Sequence, residues 1–200
     1  MRHDSIRDLW ASLCKKAYRH VVIEPTLAPV PSTTKFKLNS TTRDSGARSD
    51  VMVRGFYSNN LQSNHFDVTV FAAHAPSNTA PNCPTVKAAF KKHGDKKRRK
   101  YVERIIQVDQ GSFTPLVMSS SGGMGKEMEV ALSRLANKIA DSKHEAYSHV
   151  ITNLRLRFAF VIARSALVML HGERREYVNG CDLMILEADS GLVVSESSSA

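Results

Sequence analysis

Apolar residues recur every three or four positions in four stretches of the chain, which is the spacing of helices with one buried face. This pattern predicts helices over residues 5–18, 86–108, 126–140 and 146–170. Alternating or continuous runs of β-branched and aromatic residues predict strands instead. Those runs lie at residues 20–24, 50–56, 66–72 and 112–118.

The order of these elements favours an α/β sandwich. Three strands form a meander, a helix crosses over, and a further strand and two helices follow. The segment SNNLQSN has the composition of a hairpin turn, and the polar residues 28–47, rich in Pro, Ser and Thr, predict a long loop or irregular hairpin. Later in the chain CDLMILEA fits strand or helix, and SESSSA fits a frayed tail.

Length and composition favour one domain, because 200 residues with 42% hydrophobic content can bury one sizeable core. We predict a single domain over residues 1–172, with a core over 1–120 and a helical part over 125–172. Residues 173–200 would then be a poorly ordered or peripheral tail. The most apolar stretch, residues 158–170, is interrupted by Arg164 and is too short to cross a membrane.

The formal net charge of +9 indicates a polyanionic partner, with nucleic acid first and an anionic membrane surface second. A soluble protein that is merely basic is the plain alternative. Three widely spaced cysteines without a CxxC pair predict neither a zinc knuckle nor a disulfide framework. They fit a reducing intracellular compartment, nuclear or cytoplasmic.

Two aspartates stand inside short apolar strands, Asp50 in RSDVMV and Asp67 in HFDVTV. An unpaired buried charge is costly, so each carboxylate needs a partner. A Mg²⁺ ion would serve, since it binds through one or two carboxylates together with a substrate phosphate. An arginine would also serve, and Arg48 or Arg54 is near in sequence. On the residues alone both explanations stay open, and the ion pair is the commoner arrangement.

The second predicted helix is intensely basic. From Lys87 to Arg104 it carries nine basic and two acidic residues. Neutralising phosphates with such a helix gives salt-sensitive binding that is independent of sequence. A solvated helix face, or a nuclear-import signal in KKRRK, explains the same charges. The candidate nucleic-acid-binding residues are Lys91, Lys92, Lys96, Arg98, Arg99 and Lys100.

The order of RHDSIRD, VVIEP, RSDVMV, HFDVTV and a Lys/Arg helix ending in KY resembles a known layout. It is similar to the restriction-like endonuclease domain at the C-terminus of non-LTR retrotransposon polyproteins, which contain a reverse transcriptase. More broadly it resembles the PD-(D/E)xK nuclease superfamily. Each motif is short, and the likeness rests on their shared order and spacing from about Arg2 to Leu170. It implies a restriction-endonuclease-like αβββαβ core with two additional C-terminal amphipathic helices.

The resemblance also implies roles for individual residues. Asp50 and Asp67 would hold Mg²⁺ or Mn²⁺, and Glu24, at the end of VVIEP, would support the metal. Lys97, one turn before a tyrosine on the basic helix, would orient the attacking water or the scissile phosphate. Lys100 is the alternative lysine.

Two positions depart from the family pattern: Ser49 replaces the proline before the first aspartate, and Thr69 replaces the usual strand lysine. The expected function is a metal-dependent DNA endonuclease of retroelement origin that nicks its substrate by hydrolysing a phosphodiester bond. The alternative is a catalytically inactive nuclease fold that binds DNA, or possibly RNA, through the basic helix. A third reading is a partner-binding protein built on the two C-terminal helices.

Overall fold

A computed structural model describes residues 2–57, 62–78 and 85–171. Within these ranges the helices and strands follow the order that the apolar pattern predicts, with a short 3₁₀ helix added at Pro76–Asn78. The elements are α1 (Arg2–Lys15), β1 (Val21–Ile23), β2 (Val51–Arg54), β3 (Ser63–Phe71), α2 (Val86–Gln107), β4 (Ser112–Ser119), α3 (Lys126–Lys143) and α4 (Tyr147–His171).

The four strands form one mixed sheet in the order β1-β2-β3-β4. The first three strands are antiparallel neighbours, and β4 runs parallel to β3. A parallel pair needs a crossover connection, and α2 provides it. The predicted α/β class, with its meander, crossover helix and further strand, is therefore confirmed.

The two faces of the sheet bury different residues, because successive side chains of a strand point to opposite sides. One face packs against α1, α3 and α4 around Trp10, whose ring centroid lies 5.3 Å from that of Phe66 and 6.4 Å from that of Phe158. The other face packs against α2 through two smaller clusters, one at Tyr101 and Ile105 and one at Ala89, Phe71 and Val117. Asp67 lies between two residues of the first face, so it belongs to the α2 face.

Some boundaries differ from the sequence prediction. Helix α1 begins at Arg2 instead of residue 5, and β3 begins at Ser63 instead of residue 66. Residues 1–166 form one compact unit, and beyond it only the end of α4 is described. The ambiguous CDLMILEA segment, the predicted tail at 173–200 and most of the predicted hairpin turn lie outside the described residues.

In the part of the chain that the structure describes, no helix has the length and apolarity that crossing a bilayer requires.

The long loop of residues 28–47 is fastened to α2 by one arginine. Arg104 is fully buried, and its guanidinium donates hydrogen bonds to the backbone carbonyls of Thr42 (3.3 Å), Asp44 (2.7 Å) and Ala28 (3.0 Å). Arg104 is one of the nine basic residues counted on this helix, but its buried guanidinium adds nothing to the charged surface. Its positive charge instead satisfies loop carbonyls that have no strand partner.

Glu103, the next residue back along α2, holds the outer part of the loop. Its carboxylate accepts hydrogen bonds from the backbone N–H groups of Lys37 and Leu38 and from the hydroxyl of Thr41. These bonds lower the pKa of Glu103. One turn of α2 therefore fixes both the middle and the end of the loop.

Replacing Arg104 with methionine should release this loop. Methionine fills much of the same volume but leaves three carbonyls without their donor, so we expect a loss of about 3 kcal/mol in the free energy of unfolding. Urea denaturation measures that loss, and trypsin should cut faster at Lys35, Lys37 and Arg43 in the loop. Arg99→Met, at an exposed position of the same helix, is the control. Equal stability of the two variants would contradict the assignment.

Candidate active site

The strand register brings the two aspartates together. Val51 pairs with Phe66 at the end of the β2–β3 ladder, and Asp50 and Asp67 are the next residues beyond this pair. The backbone N–H of Asp50 donates to the carbonyl of Phe66 at 3.1 Å, so the pairing becomes irregular at Asp50. The two carboxylates lie near enough for the negative charge of Asp50 to raise the pKa of Asp67.

Asp50 occupies the point where β2 separates from β3. The β2–β3 ladder stops at Val51, whereas β3 continues beside β4 as far as Phe71. The backbone N–H of Val68 has no β2 partner beyond this point and donates instead to Oδ2 of Asp50 at 2.6 Å. The carboxylate thus replaces a missing strand carbonyl, and the backbone fixes its position in the fork.

Asp67 is almost completely buried, with only 3% of its surface exposed. Its Oδ2 lies 2.6 Å from Nζ of Lys97, which reaches in from α2. The contact is an ion pair without hydrogen-bond alignment, and among the described residues this buried oxygen has no hydrogen-bond partner. The structure therefore brings together Asp67 and the lysine that the sequence proposed for the same site.

The protonation of this pair follows from burial and charge. Burial raises the pKa of Asp67; the Lys97 ammonium opposes this effect, and the negative charge of Asp50 adds to it. Burial lowers the pKa of Lys97, but the nearby Asp67 carboxylate outweighs burial and raises that pKa. Lys97 is therefore a cation at neutral pH, held next to a carboxylate that resists ionisation.

His3 is a site residue that the sequence analysis missed. Its Nε2 lies 2.9 Å from Oδ2 of Asp50, and this hydrogen bond raises the pKa of His3. The predicted helix began at residue 5, which left His3 outside it, whereas α1 begins at Arg2 and places His3 in its first turn. No spacing in the sequence connects His3 to Asp50, so only the fold could show the contact. His3 and the backbone N–H of Val68 both contact Oδ2 of Asp50.

Glu24 follows the last residue of β1 and donates its backbone N–H to the carbonyl of Asp50 at 2.8 Å, but arginines hold its carboxylate. Its backbone has φ 51°, in the left-handed region, where strand alternation breaks. The carboxylate forms a close ion pair with Arg7 and a second contact with Arg48 at 3.7 Å. Within the described ranges, no three Asp, Glu, His or Cys side chains come close enough to share a metal ion. The structure therefore does not gather the predicted set of three carboxylates.

Most of the predicted nucleic-acid-binding residues lie on the outer side of α2. Arg98 is the exception: it is half-buried and pairs with Asp95 at 2.7 Å and closely with Glu127. Lys92 donates to the carbonyl of Ser77 at 2.7 Å yet stays exposed. The exposed members are Lys91, Lys92, Lys96, Arg99 and Lys100. The helix thus carries an outward basic surface and, on its inner side, Lys97 and Arg104.

Ser49, which replaces the expected proline, has a structural contact. Its hydroxyl lies 2.9 Å from Nδ1 of His65, and both side chains are buried. Burial lowers the pKa of His65, so the ring is neutral at neutral pH. This pair joins the residue before β2 to β3. Both side chains are shielded from solvent, unlike a catalytic serine and histidine, which must be accessible to a substrate.

Two nearby carboxylates have the chemistry that a hard divalent cation needs. Mg²⁺ and Mn²⁺ prefer oxygen ligands and need few of them from the protein, because water and phosphate complete the shell. Asp50 and Asp67 would supply the carboxylate oxygens for such an ion, with the ammonium of Lys97 2.6 Å from one oxygen of Asp67. Arginines hold the carboxylate of Glu24.

Comparisons of this chain with protein-family models, with curated proteins and with solved structures find no match. The fold and site define an α/β protein with a four-stranded mixed sheet, in which a buried Asp–Lys pair faces a second aspartate at a fork between strands.

Asp67→Asn should make the protein more stable at neutral pH. Folding raises the pKa of Asp67, so the folded protein binds the carboxyl proton more tightly than the unfolded chain does. Ionisation of Asp67 therefore lowers the free energy of unfolding of the wild type as pH rises from about 4 through the folded pKa. Asparagine cannot ionise, so the variant does not lose this stability. Urea unfolding between pH 4.5 and 7.5 should show a stability difference that grows with pH. A difference that is constant or has the opposite sign would contradict this account.

Proposed function

We propose that this protein is a metal-dependent DNA endonuclease of the restriction-endonuclease-like type, which nicks DNA by hydrolysing a phosphodiester bond. The observation that carries the proposal is the Lys97–Asp67 ion pair at 2.6 Å, with the carboxylate of Asp50 close enough for its charge to act on Asp67. The order of elements supports it, because an αβββαβ core followed by two helices is what the resemblance implies. The retroelement origin is proposed from the order of the sequence motifs.

Each residue of the site has a part in this chemistry. A bound Mg²⁺ or Mn²⁺ would lower the pKa of its water and stabilise negative charge on the phosphate. Asp50 and Asp67 would hold the ion, while His3 and the Val68 N–H keep the Asp50 carboxylate oriented. Lys97 carries a permanent positive charge within reach of the same position, where it can orient the water or the phosphate.

The outward basic surface of α2 supports DNA as the substrate. Its exposed lysines and arginine lie on the same helix as Lys97, so a strand that binds along them passes the candidate site. Phosphate contacts of this kind position a nucleic acid without reading its sequence.

An inactive DNA-binding module is the second candidate function, and a specific observation favours it. Protein cations already compensate the acidic groups: Lys97 pairs with Asp67, and Arg7 and Arg48 pair with Glu24. A fold that has lost catalysis can keep such pairs for stability and bind DNA through α2 alone.

Nicking of supercoiled plasmid in the presence of Mg²⁺ or Mn²⁺ distinguishes the two functions. Asp67→Ala removes a metal ligand, and Lys97→Met removes the charge beside it. Each should lower the nicking rate by at least about a hundred-fold. Lys138→Met, at an exposed position on α3 outside the basic surface, is the control and should keep most of the rate. Equal rates for the wild type and Asp67→Ala would refute the enzyme.

A rescue variant excludes simple misfolding. Thr69 lies two residues from Asp67 on β3 and therefore on the same face, and its hydroxyl is buried without a partner among the described residues. Adding Thr69→Lys to Lys97→Met supplies an ammonium from the strand instead of the helix. Partial recovery of nicking would show that the charge beside Asp67 is what the reaction needs.

DNA binding through α2 predicts a particular salt dependence. Replacing Lys96, Arg99 and Lys100 with glutamine removes three phosphate contacts, so the slope of log affinity against log salt should decrease in magnitude by about 2 to 3. Fluorescence anisotropy with a labelled duplex measures the slope. The control replaces Lys138, Lys143 and Arg155, which lie on α3 and α4 on the other face of the sheet. Equal effects of both sets would show that only net charge matters.

A further inference from the structure

A cleft of about 470 Å³ adjoins the candidate site. Asp50 and Glu24 border it next to the site, and Asp44, Arg48 and Lys100 line it further away. We propose that this cleft binds one unpaired nucleotide of the DNA strand, and that Asp44 selects bases with an exocyclic amino group. The proposal rests on the proposed function only in placing that nucleotide next to the cleaved bond, because binding can be measured without cleavage.

The wall of the cleft is a long loop that is fixed in place. Loops of this length without secondary structure are uncommon in compact domains and usually carry function. Buried Arg104 holds the carbonyls of Thr42 and Asp44, and the backbone N–H of Thr42 donates to the carbonyl of Lys100 at 3.0 Å. These contacts bind the loop to α2 through residues that themselves line the cleft, so the cleft wall is preorganised.

Asp44 is held in place by its own contacts. The backbone N–H of Gly46 donates to its Oδ1 at 3.0 Å, and Arg104 donates to its backbone carbonyl at 2.7 Å. A carboxylate with a fixed position can accept a hydrogen bond from an amino group, as aspartate does from N4 of cytosine. Thymine offers no such donor, so Asp44 provides a chemical basis for discrimination, because the N3–H of an unpaired thymine stands between two carbonyl oxygens that repel a carboxylate.

The charges around the cleft orient the nucleotide. Lys100 and Arg48 are exposed cations, whereas Asp44 is a carboxylate that repels phosphate. The sugar-phosphate backbone therefore lies toward the two cations and the base toward Asp44. Lys100 follows Lys97 by one turn of α2, a rise of about 4.5 Å, which is comparable to one nucleotide step.

The size of the cleft excludes a double helix. It is an open cleft whose volume is that of a site for one small molecule. A base within a duplex is stacked and paired, so it must be unpaired or flipped out before it can enter. The inferred substrate is therefore DNA that is single-stranded, or locally opened, next to the cleaved bond.

Anisotropy titrations of labelled dC12 and dT12 strands in EDTA test the inference. We expect wild type to bind dC12 roughly five- to ten-fold more tightly than dT12, and Asp44→Asn to lose this preference. Asparagine keeps an acceptor for Gly46, so the loop should hold its shape. Asp44→Ser, which also keeps an acceptor for Gly46, is the second variant, and Asp141→Asn, at an exposed position on α3, is the control. Equal binding of both strands by wild type, or a preference that survives in both Asp44 variants, overturns the inference.

The outcome separates this inference from the proposed function. If wild type nicks plasmid in an Asp67-dependent way but shows no Asp44-dependent preference, the cleft assignment fails and the enzyme stands. If the preference exists and no nicking occurs, the cleft assignment stands and the protein is a binding module.

Discussion

The buried carboxylate of Asp67 requires a positive partner, and that requirement organises the α2 face of the sheet. Its position between Phe66 and Val68 on a central strand removes it from water. Lys97 supplies the charge from α2, which the apolar clusters at Tyr101 and Ala89 pack against the sheet. Asp50, whose charge acts on the same carboxylate, is hydrogen-bonded to His3, so a basic group lies beside each of the two acids.

Helix α2 performs two tasks with residues that look alike in sequence. Lys97 and Arg104 face inward, one toward the acidic site and one toward the loop carbonyls, while their basic neighbours face solvent. The number of basic residues does not show which of them face inward and which face solvent. Helical periodicity shows this in part, because inward residues such as Tyr101 and Ile105 lie on the same side of α2 as Lys97.

The order of elements was predictable because apolar periodicity is a local property, and it located all four strands and all four α-helices of the described chain. The pairing of Asp67 with Lys97 was predictable only through the resemblance, since the two are far apart in sequence. The contact between His3 and Asp50 was not predictable, because it depends on where α1 and β2 begin. Glu24 was assigned to the metal although Arg7 approaches it from α1, a long-range contact that no local pattern contains.

The same geometry explains why a working site and an inactive one would look similar in this fold. Ion pairs stabilise acidic groups when no metal is bound, so Lys97 and the two arginines of Glu24 keep the structure intact in either case. Stability alone would favour a neutral or apolar residue in place of Asp67, because burial raises the cost of its charge. A carboxylate kept at that cost, near a second carboxylate and beside a lysine, is the observation on which the proposed function rests.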